Sequence, residues 1–125
     1  MPALEFIEQL AGLTDYESAW EQQRLIHAEV AAGAPGRVLL VEHPPVFTAG
    51  KRTKPEDRPW DGSPVVEVDR GGRITWHGPG QLVGYPIVAL ADPVDVMEYV
   101  HRVEAAIMEV CAGLGVSTIR VADRT

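Results

Sequence analysis

The chain has 125 residues, 46% of them hydrophobic, which is enough for one domain or part of one with its own core. Eleven basic against 18 acidic residues leave a net charge of −7, which excludes a general nucleic-acid binder and any global attraction to an acidic partner. One cysteine excludes an intrachain disulfide framework and is compatible with a reducing cytoplasm, the expected location.

The first ten residues, MPALEFIEQL, have no basic start and no long apolar run, so no signal peptide is expected. Loose alternation around Leu4 and Phe6 suggests a strand near 3–9, ended by Gly12. Thr14-Asp15-Tyr16-Glu17 reads as a capping box, with the Thr14 hydroxyl accepting the Glu17 N–H. A helix is expected from there to about Ala32, with Tyr16, Ala19, Trp20, Gln23, Ile26 and Val30 on one face. Gly33, Pro35 and Gly36 stop it.

Arg37–Glu42 is a short apolar strand, His43-Pro44-Pro45 interrupts it, and Val46–Ala49 resumes it. Lys51–Pro64 holds three prolines and seven charges without periodicity and reads as a loop, of a length that is often functional. Val65–Asp69 and Arg73–His77 read as a hairpin turned at Gly71-Gly72. Gly78-Pro79-Gly80 then breaks the chain, and Leu82–Leu90 is a third strand. The apolar run Leu82–Ala91 contains Pro86 and is too short to cross a bilayer, so no membrane role is expected. Asp92 is expected to cap a second helix with Pro93 at its first position. Val96, Val100, Val103, Ile107, Val110 and Leu114 recur along it, and Gly113 and Gly115 end it. Val116–Val121 reads as one more strand. Strands mixed with two helices give an α/β or α+β fold class.

The stretch Arg70–Tyr85, RGGRITWHGPGQLVGY, holds five of the twelve glycines. Its two breaks put Arg70, Arg73, Thr75 and His77 beside bare backbone that a ligand can approach. Against this, arginines beside a turn are commonly just solvated, Thr75 suits a strand, and a lone histidine is more often structural. His27, His43, His77 and His101 show no zinc spacing, so no metal is expected. Cys111 lies near the apolar stripe of the second helix, with no lysine or histidine close in sequence to lower its pKa, and reads as core. Lys51, Arg52, Lys54 and Arg58 form a basic loop, either plainly solvated or a docking patch for an acidic carrier protein.

Arg70, Gly71, Gly72, Thr75, Trp76, His77, Gly80, Gln81 and Tyr85 together resemble the signature of the octanoyltransferases of lipoate biosynthesis, the lipoate-protein ligase B family. Glu42–Thr53, EHPPVFTAGKRT, resembles a second block of that family. The resemblance implies the fold of the biotin and lipoate protein ligase catalytic domains, a mixed sheet flanked by helices, with residues 1–125 as the N-terminal portion of one such domain. It assigns Arg70, Gly71, Gly72, Arg73, Ile74, Thr75, Trp76 and His77 to substrate binding. It implies transfer of an octanoyl group from acyl carrier protein to a lysine of lipoyl domains, namely those of 2-oxoacid dehydrogenase complexes and the glycine cleavage H protein, with no cofactor. The family uses a cysteine thiolate that forms an acyl-thioester, and a lysine that lowers its pKa.

Neither residue maps onto this chain: Lys51, Lys54 and Cys111 do not fit, and both family residues are expected beyond Thr125. The resemblance therefore implies a truncated octanoyltransferase, inactive alone, and poorly soluble or self-associated. Two alternatives stand beside it. One is an ATP-dependent lipoate or biotin ligase, which needs a phosphate-handling loop and a lysine not evident near Arg70-Gly71-Gly72. The other is a non-catalytic module that binds an acyl carrier.

Overall fold

The computed structural model describes residues 3–122. The chain divides into two compact units, Met1–Ala89 and Leu90–Thr125. The first unit holds two three-stranded mixed sheets and a helix, within the α+β class expected from the sequence. In one sheet β1 (Glu5–Gln9) runs parallel to β2 (Arg37–Val41), and β2 runs antiparallel to β6 (Val83–Ile87). Helix α1 (Tyr16–Ala31) connects β1 to β2 and packs on β2 and β6. Alternation along β2 fully buries Leu39 and Val41, and α1 contributes Ala19, Ile26 and Val30 to the same core. Full burial of each large aliphatic side chain contributes roughly 1.5–3 kcal/mol. In the register, Ile7, Leu39 and Tyr85 lie in one row, which fixes Tyr85 to the core sheet.

The second sheet has β3 (Val46–Ala49) at its centre, with β4 (Val65–Glu67) parallel on one side and β5 (Ile74–His77) antiparallel on the other. The expected hairpin is therefore corrected: β4 and β5 never pair, because β3 lies between them. The reason is the burial of β3. Val46, Thr48 and Ala49 are buried, so both backbone edges of the strand need partners. The third expected strand also goes elsewhere, since β6 joins β2 in the first sheet. The loop after β3 carries a single 3-10 turn, Pro55–Asp57.

The cap of α1 also shifts by one residue. Asp15, not Thr14, is the N-cap; its carboxylate accepts the Ser18 N–H at 3.0 Å. An anion at a helix start is favoured by the helix dipole, and Thr14 is held by the end of β2, its N–H donating to Glu42 O at 2.7 Å.

In the second unit, α2 spans Val96–Gly113, capped by Asp95, which accepts the Glu98 N–H at 3.0 Å. Asp92 with Pro93 is not the cap. The sequence offers two aspartates three residues apart, and the second has its carboxylate within reach of a free helix N–H. Val116 donates to Cys111 O and Gly115 to Ala112 O, which closes the helix in a Schellman turn. The expected strand at Val116–Val121 does not form among the described residues. That segment instead returns to α2 through Arg120, which pairs with Glu104 at 2.8 Å and donates to His101 O at 3.1 Å.

Candidate functional site

Two knots organise the first unit, and the glycine-rich stretch contributes to both. The first joins the end of β3 to Arg70–Arg73. Gly50 donates to Arg73 O, Lys51 to Arg70 O at 3.0 Å and Arg52 to Gly72 O at 2.9 Å. A Cβ on Gly50 would stand 2.5 Å from Gly72 O and 2.7 Å from Gly71 O, so the approach requires glycine. The Arg70 guanidinium turns inward and donates to Thr48 O, Thr48 Oγ1, Gly71 O and Arg73 O at 2.7–2.9 Å. Arg73 forms a two-point ion pair with Asp57. That pair, with the Lys54 backbone N–H, holds the Asp57 carboxyl down to about 2.

The second knot is built on His43, which is fully buried. Its Nδ1 lies 2.7 Å from Thr14 O and its Nε2 lies 2.8 Å from the Tyr85 hydroxyl. A carbonyl only accepts, so Nδ1 carries the proton and Nε2 accepts from Tyr85. Tyr16 stacks on His77 at 6.2 Å with the rings 10° apart, and His43 lies 5.2 Å from Tyr16 and 5.8 Å from His77. The His77 Nδ1 lies 2.7 Å from Gln81 Oε1, to which it donates. The Glu42 carboxylate accepts the Gly80 N–H at 2.6 Å and so ties the Gly-Pro-Gly turn to the end of β2.

Burial pushes the His43 imidazolium pKa down, and burial likewise pushes the Tyr16 and Tyr85 hydroxyls up. These shifts favour the uncharged forms of His43, Tyr16 and Tyr85, so the cluster combines apolar ring faces with fixed donors and acceptors. Such a surface can orient a polar carbonyl while tolerating an apolar tail beside it.

Of the eight residues assigned from the signature, only His77 joins the aromatic cluster. Arg70, Gly71, Gly72 and Arg73 make the first knot. Ile74 lies half-buried opposite Ala49, and Thr75 is exposed opposite Thr48. Trp76 is exposed, with its ring packed on Gly78. Tyr16, His43 and Tyr85 lie outside the eight residues that the resemblance assigns to substrate binding. Tyr85 and Gln81 lie inside the signature, and Glu42-His43 opens the second block, so the signal was there as membership rather than as geometry. Cys111 is half-buried on α2 rather than core. His27 and His101 lie outside the cluster, and the described residues hold no group of three or more His, Cys, Asp or Glu that could take a metal ion. No described helix is long and apolar enough to cross a membrane.

Residues 15–125 match the lipoyl protein ligase A/B catalytic domain, and the chain belongs to that family. It is 64% identical over 115 residues to an octanoyltransferase of Nocardia farcinica, covering 91% of this chain and 46% of that protein. It is 60% identical over 116 residues to one of Salinispora arenicola (92% and 54%), and 58% over 114 residues to one of Mycobacterium avium (91% and 49%). The chain spans about half the length of the curated relatives it matches.

Proposed function

We propose that these residues form the N-terminal portion of the catalytic domain of an octanoyl-[acyl-carrier-protein]:protein N-octanoyltransferase. The observation that carries this reading is geometric. The stretch that matches the octanoyltransferase signature folds so that its His77 and Tyr85 meet on His43, from the second matching block. The high identity to proteins named octanoyltransferase supports it.

In this reading Tyr16, His77 and Tyr85 line the acyl-thioester site with the buried His43 holding Tyr85 from behind, and the first knot keeps the Ile74–His77 strand at its edge. The chemistry is two acyl transfers. A thiolate attacks the thioester carbonyl and the carrier thiol leaves; a lysine amine of the lipoyl domain then attacks, and the enzyme thiolate leaves. Cys111 and the two lysines of this chain do not fit the roles of nucleophile and activating lysine, which come from the part of the domain outside the matched half. The chain alone is expected to be inactive, and the working enzyme to reside in the cytoplasm.

The test is a hybrid in which these residues replace the matched half of the Nocardia farcinica protein. It should move octanoate from octanoyl carrier protein to a lipoyl-domain lysine, read by intact mass, while the 125-residue chain alone should not. The matched family spans both the A and the B ligases, so an ATP-dependent ligase is the second reading. A hybrid that works only with free octanoate and ATP would establish that reading instead.

A further inference from the structure

The described residues contain ten lysines and arginines, and their partners divide them sharply. Arg24, Arg37, Arg58, Arg73, Arg102 and Arg120 are ion-paired, and Arg70 is held by carbonyls and Thr48. The three without an ion pair among the described residues are Lys51, Arg52 and Lys54, all exposed and within four positions of each other. The structure thus narrows the basic loop: Arg58 is spent on Glu67 at 2.6 Å and leaves the patch.

The loop backbone beneath these cations is fixed. Lys51 and Arg52 donate to Arg70 O and Gly72 O, Thr53 donates to Gly50 O, and Asp57 accepts the Lys54 N–H at 2.9 Å. Asp57 is itself neutralised by Arg73, which Glu56 also faces. Among the described residues, a chain of net charge −7 therefore carries one cluster of cations without an ion pair, its backbone hydrogen-bonded to the Arg70–Gly72 turn and Asp57 and Glu56 beside it.

We propose that Lys51, Arg52 and Lys54 dock the carboxylates of an acidic carrier protein. This rests on the acyltransferase reading and names where its donor sits. At physiological salt the Debye length is about 8 Å, so distant acidic residues are screened and the local patch governs an approaching acidic surface.

The experiment titrates the parent chain and a K51E/R52E/K54E variant with octanoyl carrier protein, apo-carrier lacking pantetheine, and octanoyl-pantetheine alone. Expected is a loss of carrier affinity of about tenfold or more for both carrier forms, shrinking as salt rises. Octanoyl-pantetheine binding should be unchanged, which also shows that the variant is folded. Equal carrier affinity in variant and parent overturns the docking patch and leaves the acyl reading standing. A loss confined to pantetheine-bearing carrier overturns the commitment to carboxylates, in favour of the phosphate. A parent that binds neither carrier nor octanoyl-pantetheine overturns the acyltransferase reading itself.

Discussion

His43 is the residue on which the first unit converges. Its side chain is fully buried, and it satisfies a carbonyl from the start of α1 and a hydroxyl from β6. Replacing it by leucine leaves two half-buried partners, Thr14 O and the Tyr85 hydroxyl, without this bond, an expected cost of about 1–3 kcal/mol in a urea melt. Its depressed pKa also has a sign. The unfolded imidazole protonates near pH 6.5 and the buried one only lower, so the unfolded state binds more protons in between. Stability should therefore be full above about pH 6.5 and fall as pH drops toward the folded pKa. Melts between pH 7.5 and 5 should show this slope in the parent and a flatter one in His43→Leu. Gly50 is the matching position in the other knot. Gly50→Ala should cost about 1–3 kcal/mol, since the new methyl meets Gly72 O, which accepts the Arg52 N–H, and Gly71 O, which accepts from the Arg70 guanidinium.

At the scale of elements, the type of most segments is legible in the sequence, while their ends and partners are not. The α1 cap illustrates the ends. Thr14 and Asp15 are both good capping residues, and only the pull of β2 on Thr14 decides between them. Asp15→Ala is expected to lower stability by about 1 kcal/mol, and Thr14→Ala by clearly less, measured by thermal melts side by side. The sheet illustrates the partners. Val65–Asp69 and Arg73–His77 carry a real turn signal between them, yet the partner of each is β3, which precedes both. Local turn chemistry does not know that a buried strand elsewhere needs two edges satisfied.

At the scale of the whole molecule, α2 stands out as a helix of 18 residues with none buried. Its stripe leaves Val96, Ile107, Val110 and Leu114 more than half exposed, although the spacing marks a core-facing surface. Contiguous apolar surface of this kind associates in water. The isolated chain is expected to self-associate at micromolar concentration in sedimentation equilibrium, and Val110→Glu with Leu114→Lys to shift it toward monomer. A parent that stays monomeric across the concentration range would contradict this.

The sequence by itself determined the class of fold, the family and the two blocks from which the candidate site is drawn, because periodicity, turn residues and signature spacing are written locally. The tertiary structure alone decided that Arg70 braces a loop, that Arg58 leaves the cationic patch, and that Tyr16, His43, His77 and Tyr85 share one cluster. Those four come from α1, the β2–β3 connection, β5 and β6, positions up to 69 residues apart in the sequence. Their meeting depends on strand order and on which groups remain unsatisfied once the core is packed, and neither is a local property of the chain.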